Sequence, residues 1–372
     1  MSDNPHLWMR AESRPTERRA PLVPEDAAHL TSQGVEITVE ESTQRAFPLD
    51  DYLTAGCRTA PAGSWTDAPG GAHILGLKEL PYRPAGLSHR HIYFGHAYKG
   101  QSGAGELLAR FTAGGGALLD LEYLTDDTGR RLAAFGYWAG YVGAALAVLH
   151  QRGRLRTPLR PTDLNALDAL LNEPGENGSA LVIGALGRSG RGACDALVTA
   201  GLTPTRWDVA ETATLDRSAL LDHDILVNTV LMNRPTPPFL THADLDGPRR
   251  LSVVSDVTCD VTSECNVLPV YAELTDWDAP VRRLRDGDRP ADLIAIDNLP
   301  SLLPVEASRA FSAELWPLLA TLGGADPVWA RCLGVFETAT AGTGTGNSRA
   351  AGDWADSDDS QAHEGKEYAD AR

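Results

Sequence analysis

The sequence predicts an α/β protein with two Rossmann-like domains, each a parallel sheet flanked by helices, and a cleft between them. Short apolar strand patterns alternate with helical patterns in both halves of the chain, as where "PEDAAHLTSQG" precedes "VEITVEES". This alternation is typical of βαβ units with parallel strands. A glycine-rich turn, "VIGALGRSG", joins a strand directly to a helix in the second half.

Composition and charge narrow the class of protein. With 372 residues, of which 42% are hydrophobic, the chain can bury two cores. A net charge of −17 argues against nucleic acid and anionic membranes as partners. There are five cysteines without a CxxC pair, and no apolar signal sequence. These features predict a cytoplasmic protein without disulfides, and they leave the oligomeric state open, a monomer included.

Three segments of different character follow one another. Residues 1–135 carry the strand patterns of "HLWMRAE", "VEITVEES", "AHILGLKEL", "HIYFGHAY" and "ALLDLEYL". Residues 136–304 begin within a long apolar helix, "AAFGYWAGYVGAALAVLHQRG", and contain the second βαβ series. The helix in "PVEASRAFSAELWPLLATLGG" is expected to return to the first domain, which then comprises residues 1–135 and 305–337. Residues 338–372 are polar and of low complexity, which predicts a disordered tail.

The glycine-rich turn predicts a dinucleotide site. Gly184, Gly187 and Gly190 follow a strand and open a helix, whose free N–H groups can bind a pyrophosphate. Asp208 lies eighteen residues beyond Gly190 (208 − 190), at the end of the next strand. An acid there can accept hydrogen bonds from the ribose hydroxyls. Arg188 and Arg206 could meet the 2′-phosphate of NADP, but Asp208 would repel it, so NAD is favoured over NADP.

Histidines in "SHRHIYFGH" raise the alternative of a zinc site. His89 and His91 share one face of a strand, whereas His96 falls on the other face, and no nearby cysteine completes a tetrahedral set. No metal is therefore predicted. Taken alone, Lys78 in "LKEL" is interpreted as a solvated charge at a strand end, and His96 as a packing residue.

A set of motifs resembles one enzyme family over nearly the whole chain apart from the tail. The set comprises "RAESRPTERRAPL", "GLKELP", "FGHAYKGQ", "DLEYL", "GRRLAAFGYWAG", "VIGALGRSG", "WDVAET", "SDVTCD" and "IDNLPSLLPVEAS". In this order they are similar to the NAD-dependent, lysine-forming saccharopine dehydrogenases, relatives of alanine dehydrogenase. The resemblance implies that saccharopine, NAD⁺ and water give L-lysine, 2-oxoglutarate and NADH, reversibly, so the partners would be small molecules.

The resemblance also implies roles for particular residues. Lys78 would take the proton of the substrate amine, and His96 would activate water for imine hydrolysis. The implied substrate-binding residues are Arg19, Lys99, Gln101, Arg131, Phe135, Thr258, Cys259 and Asp260. The implied cofactor-binding residues are Arg130, Gly184, Gly187, Arg188, Ser189, Gly190, Asp208, Thr212, Leu231, Val257, Ile296, Asp297, Asn298 and Leu299.

One segment departs from the family pattern. Fungal members read roughly S-A-D-T-x-x-x-H-N-P where this chain has "TCDVTSECNVLP". Two alternatives therefore stay open. One is a related opine-type dehydrogenase that joins a different amine to a 2-oxo acid. The other is a catalytically silent nucleotide-binding paralogue, against which the presence of Lys78, His96 and Arg131 together argues.

Overall fold

A computed structural model describes most of the chain, in two units that are each built on a six-stranded sheet. The described residues are 5–101, 103–175, 178–232, 234–261, 263–324 and 326–341. No helix among them is long and apolar enough to cross a membrane. The expected cytoplasmic location stays a prediction.

The first sheet is parallel throughout. Its strands are β1 (His6–Met9), β2 (Glu36–Glu40), β3 (Arg58–Ala60), β4 (His73–Leu75), β5 (Arg90–Tyr93) and β6 (Ala117–Asp120). They pair in the order β3-β2-β1-β4-β5-β6. The connections include helices α1 (Pro24–Ser32), α2 (Leu49–Thr54) and α3 (Ala104–Gly114), and short 3₁₀ turns at Ser64–Asp67 and Leu121–Tyr123.

The second sheet follows a long helix, α4 (Gly136–Gln151), and α5 (Leu164–Asn172). Its strands are β7 (Ala180–Ile183), β8 (Thr205–Trp207), β9 (Ile225–Asn228), β10 (Val253–Asp256), β11 (Arg282–Arg285) and β12 (Ala291–Ile294). They pair in the order β11-β12-β10-β9-β7-β8, and β11 alone among these described strands runs antiparallel. The other helices of this unit are α6 (Arg188–Thr199), α7 (Val209–Ala213), α8 (Arg217–Leu221) and α9 (His242–Asp246).

Two C-terminal helices return to the first unit. After a 3₁₀ turn at Leu299–Leu302 come α10 (Pro304–Leu319) and α11 (Pro327–Ala341). Phe311 and Leu315 of α10 and Cys332 of α11 are fully buried in the core of the first sheet. The chain after residue 304 therefore packs on the first sheet, and the predicted domain boundaries stay a prediction.

The start of the predicted tail needs a correction. α11 continues to Ala341, so residues 338–341, which the sequence assigned to the tail, are helical. The Thr338 and Thr340 hydroxyls donate to the carbonyls of Gly334 and Phe336, and Phe336 is buried against the first sheet. Packing of this apolar helix face outweighs the polar composition that suggested a tail. The rest of the predicted tail, residues 342–372, lies outside the described residues.

The small residues of α4 allow a close approach to α6. A Cβ added to Gly140 would lie 1.8 Å from the Ser189 carbonyl oxygen, and one added to Gly192 would lie 1.9 Å from that of Tyr137. Larger side chains would force the helices apart. Because α6 begins at the glycine-rich turn, the packing of α4 against the first turn of α6 also fixes the position of the glycine-rich turn.

Candidate active site

A cleft of about 880 Å³ lies between the two units, where the strands of both sheets end. Lys78 and His96 follow β4 and β5 of the first sheet. Gly187 and Asp297 follow β7 and β12 of the second sheet and line the opposite wall. Parallel α/β sheets bind ligands at this edge, because the strand ends and helix N-termini converge there.

The glycine-rich turn has the shape that its glycines predict. Gly184 has φ +82°, and a Cβ there would lie 2.7 Å from Thr229 Oγ1. A Cβ at Gly190 would lie 2.0 Å from the Gly184 carbonyl oxygen, so this glycine lets α6 pack on its own turn. Gly187 is the N-cap of α6. The first turn of α6, with Arg188 and Ser189, borders the cleft.

Asp208 lies beside this turn, at the end of β8. Its Oδ2 accepts from the Leu186 N–H at 3.0 Å, and its side chain also caps α7. Thr212, in α7, donates its hydroxyl to the Asp208 carbonyl at 2.8 Å. The Asp208 carboxylate therefore holds the glycine-rich turn in place, and its contact with a ribose stays a prediction. Leu231, another predicted cofactor residue, follows β9 and is 56% exposed.

Lys78 faces Asp297 across the cleft. Its Nζ lies 3.5 Å from Asp297 Oδ1, and its side chain is 15% exposed. Burial lowers the pKa of Lys78; Asp297 opposes this effect, while Arg19 and Arg14 add to it. Asp297, which the resemblance assigned to the cofactor, is thus also the ion-pair partner of the predicted base. Glu79, the neighbour of Lys78 in sequence, pairs with Arg14 at 2.9 Å.

His96 lies at the wall formed by the first unit. It has φ +49° and its side chain is about half exposed. Its ring is nearly parallel to that of Phe94, with centroids 6.4 Å apart, and its Nδ1 lies 3.6 Å from Glu122 Oε1. His89 and His91 are instead buried within the first unit.

Glu122, which was not predicted from the sequence, contacts several basic side chains of this wall. Its carboxylate lies 3.5 Å from Lys99 Nζ and 3.8 Å from Arg131 Nη1, in addition to its contact with His96. The contact with His96 and the charges of His96, Lys99 and Arg131, working against partial burial, lower the pKa of Glu122 to about 2. An acid directly after a strand, in "DLEYL", was the available signal.

Arg19 is fixed in the wall of the cleft near Lys78. It is 5% exposed and forms a bidentate pair with Glu17, with distances of 2.9 and 2.6 Å. It also donates to Asn298 of the second unit at 2.5 Å. Its guanidinium lies 4.0 Å from the centroid of the Phe135 ring. The pairing with Glu17 and with Asn298 was not predicted.

The structure brings most predicted residues to the cleft or to two smaller cavities that share Lys78 and Asp297 with it. One cavity, of about 170 Å³, is lined by Arg19, Val257, Thr258, Cys259, Ile296, Asn298 and Leu299. The other, of about 620 Å³, includes Gln101 and His96. The cleft itself holds Arg19, Arg130, Arg131, Phe135, Arg188 and Ser189. The predicted residues outside these linings are Lys99, Asp260, Gly184, Gly190, Asp208, Thr212 and Leu231.

A parallel sheet with a glycine turn that opens a helix, facing a lysine and a histidine across a cleft, defines the class of two-domain, Rossmann-type dehydrogenases. A family model described as "Alanine dehydrogenase/PNT, N-terminal domain" matches residues 8–142. A solved L-alanine dehydrogenase structure has a TM-score of 0.63 at 15% identity, and covers 89% of this chain and 93% of that chain. This likeness shows the fold.

Sequence relatives define the family more closely. The saccharopine dehydrogenase (NAD⁺, L-lysine-forming) of Schizosaccharomyces pombe is 42% identical over 360 residues, 90% of this chain and 98% of that protein. The enzyme of the same name from Emericella nidulans is 42% identical over 343 residues, 85% of this chain and 92% of that protein. The chain belongs to the saccharopine dehydrogenase (NAD⁺, L-lysine-forming) family.

Proposed function

We propose that this chain catalyses the reversible oxidation of saccharopine by NAD⁺ and water to L-lysine, 2-oxoglutarate and NADH. The observation that carries the proposal is the cleft in which Lys78 and His96 face the N-terminus of α6. The proposal is also supported by the relatives of this chain, which carry the same enzyme name and align with it over nearly their full length.

The glycine turn fits the pyrophosphate of NAD⁺. Gly184, with φ +82°, lets the chain turn tightly against Thr229 and Val230, and the first N–H groups of α6 have no intrahelical partner by the geometry of a helix. Asp208, at the end of β8, is assigned to the ribose hydroxyls. Bound NAD⁺ supplies the hydride acceptor for the glutamyl Cα of saccharopine.

Lys78 accepts the proton of the secondary amine in the oxidative direction. A general base acts in its unprotonated form, and burial favours that form for a lysine. The negative charge of Asp297 favours the protonated form of Lys78, so Lys78 can return the proton in the reductive direction. Both roles need an Nζ held within reach of the substrate amine.

His96 directs water onto the imine that follows oxidation. Its ring is half exposed, so water reaches it from the cleft. Glu122 orients the ring through Nδ1, which leaves Nε2 to exchange a proton with water or with the substrate. Fixing one ring nitrogen through a carboxylate is a common way to set the tautomer of a catalytic histidine.

Positive side chains around the cleft match the three carboxylates of saccharopine. Arg19, Arg131 and Lys99 come from the first unit. The planar fork of arginine binds a carboxylate bidentately, so Arg131 is assigned to the substrate. Arg19 is assigned to the substrate through Nη1, because its Nε and Nη2 are bound by Glu17. Arg130 and Arg188 border the side of the glycine turn and are assigned to the cofactor.

Turnover with a panel of amines tests the proposal. Loss of NADH is followed with 2-oxoglutarate and lysine, ornithine, glutamate or no amine, and lysine is expected to give the highest kcat/KM. A different preferred amine would identify the related opine-type reaction. NADH binding without turnover on any amine would identify a silent paralogue.

The double variant Lys78→Met/His96→Gln tests the two roles. Losing each general acid–base group lowers turnover by about a hundred- to ten-thousand-fold. The variant is expected to fold and to bind NADH like the wild type. Arg250→Gln, which changes an ion pair of the second unit outside the cleft, is the control that keeps turnover. Wild-type turnover in Lys78→Met alone would remove Lys78 from the mechanism.

A further inference from the structure

One buried ion pair holds both backbone polar groups of Lys78. The Lys78 N–H donates to Glu12 Oε2 at 3.0 Å, and the Lys78 carbonyl accepts from Arg10 Nη2. The preceding N–H, of Leu77, donates to Glu12 Oε1 at 2.7 Å. Arg10 Nη1 lies 3.3 Å from Glu12 Oε2. Arg10 and Glu12 follow β1, which pairs with β4, the strand that leads to Lys78.

The pair is enclosed by its surroundings. Arg10 is 2% exposed, and the side chain of Glu12 is 6% exposed. The Arg10 guanidinium lies 5.7 Å from the centroid of the Tyr93 ring. A Cβ at Gly76 would lie 2.5 Å from Arg10 Nε, so a glycine is needed at this position for the guanidinium to reach the Lys78 carbonyl.

Stability alone does not account for such a pair. Burying two charges removes them from water, and apolar replacements of similar volume are often as stable or more stable. Burial accordingly raises the pKa of Glu12, against the effect of Arg10 and the two backbone N–H groups. What the pair contributes is geometric, because its hydrogen bonds fix two successive peptide units next to the cleft.

We propose that the Arg10–Glu12 pair is a positioning device for Lys78. The lysine side chain has four rotatable bonds, and its Nζ must reach both Asp297 and the substrate amine. Fixing its backbone reduces the range of positions available to Nζ. A displacement of about 1 Å in a reacting group can lower a rate by about a hundredfold. This inference rests on the proposed role of Lys78.

A double-mutant cycle tests the inference. Glu12→Gln replaces one acceptor oxygen by an NH₂ group that cannot accept from a backbone N–H. Gly76→Ala leaves every charged group in place and displaces the Arg10 guanidinium. Each is expected to lower kcat by about ten- to a hundredfold with unchanged NADH binding. In the Lys78→Met background neither is expected to lower turnover further, because both act through Lys78. Equal losses in both backgrounds would overturn the proposal.

Asp224→Asn is the matched control. Asp224 also accepts from a backbone N–H, that of Ser179 at 2.8 Å, and pairs with Arg250 at 2.8 Å, but it lies in the second unit outside the cleft. It is expected to keep wild-type turnover. Glu12→Asp, which keeps the charge, is expected to recover part of the activity lost in Glu12→Gln, and it replaces that variant if Glu12→Gln does not fold.

A second measurement separates this inference from the proposed function. The chain has three lysines, Lys78, Lys99 and Lys366, so carbon-13 methylation of amines labels these three side chains besides the α-amino group, and a Lys78→Met sample assigns the Lys78 signal. Displacement of Lys78 Nζ from Asp297 in Gly76→Ala is expected to change the chemical shift and titration midpoint of the Lys78 signal. An unchanged Lys78 signal overturns the positioning role even if the wild type shows no turnover, a result that would itself refute the proposed function.

Discussion

Lys78 and Asp297 come from opposite walls of the cleft, and their charged atoms lie 3.5 Å apart. Arg14 also reaches Asp297, at 2.5 Å. Burial works against the charged form of Asp297, but Lys78, Arg14 and Arg19 together lower its pKa to about 2. The predicted base is thus paired with a carboxylate that stays ionised throughout the neutral range.

The first prediction concerns the pH dependence of Asp297→Asn. Asp297 raises the pKa of Lys78, so its removal lowers that pKa. Saccharopine oxidation needs neutral Lys78, and its rate falls as pH drops through this pKa. The acid limb of the kcat/KM profile is expected to shift to lower pH in the variant. A midpoint that stays in place or shifts upward would contradict the pairing.

The second prediction concerns acid stability through Glu122. Its pKa in the fold, about 2, lies below the ordinary value of 4.5. A carboxylate of this kind stabilises the fold above about pH 4.5, and the stabilisation is lost as pH falls towards 2. Glu122 is partly exposed, so screening leaves an effect of about 1–2 kcal/mol.

Urea unfolding between pH 2 and pH 7 measures this effect. Glu122→Gln is expected to flatten the fall in the free energy of unfolding between about pH 4.5 and 2. Glu314→Gln, at a less buried carboxylate that faces Arg188, is the comparison and is expected to keep most of the wild-type slope. A Glu122→Gln curve parallel to that of the wild type would remove Glu122 from the acid response.

The third prediction concerns the cofactor preference. Asp208→Ala removes the acceptor proposed for the ribose and one bond to the glycine turn, at Leu186. NADH binding is expected to weaken about ten- to a hundredfold, since a hydrogen bond to a charged group contributes about 1.5–3 kcal/mol. NADPH binding should weaken less, because the repulsion of its 2′-phosphate is relieved. Fluorescence titration gives both Kd values.

Asp216→Ala is the control for that experiment. Asp216 caps α8 as Asp208 caps α7, with its side chain accepting from the Ala219 N–H at 3.0 Å, but it does not contact the glycine turn. Its loss is expected to reduce stability by about 1 kcal/mol without changing the ratio of the two Kd values. The same ratio in Asp208→Ala and in the wild type would place the ribose contact elsewhere.

The fourth prediction concerns the contact between α4 and α6. Gly140→Ala places a methyl group against the Ser189 backbone, so the two helices must separate. The free energy of unfolding is expected to fall by about 1–3 kcal/mol, with weaker NADH binding. Gly334→Ala in α11 has nothing within 4 Å of the new Cβ, so it should keep or raise stability by up to about 1 kcal/mol. Similar stability in both variants would contradict the close packing.

Sequence patterns predicted the buried strands of both sheets but missed two edge strands. β7 and β9 are apolar runs because parallel strands are covered on both faces. β11 reads "RRLR" and β3 has three residues, so neither carries an apolar period. α11 was also missed, although Asp326 before Pro327 is a usual start for a helix, and Asp326 Oδ1 accepts from the Val328 N–H.

The candidate site was predicted through family motifs, and its ionic contacts were not. Lys78 and Asp297 are separated by 219 positions in sequence. Their pairing depends on how the two units face one another, which no local pattern encodes. The contacts of Glu122 with His96 and Arg131, and of Arg10 with the Lys78 carbonyl, likewise depend on strand order in the first sheet.

The return of α10 and α11 to the first sheet has a consequence for biosynthesis. Strands β1 to β6 emerge from the ribosome first. The core of their sheet is completed only near the end of translation, by Phe311, Leu315, Leu319 and Cys332. The second unit lies wholly between these two parts of the chain and can fold while the chain is still attached. Until these side chains emerge, we expect the nascent first sheet to expose apolar surface, which is prone to aggregation.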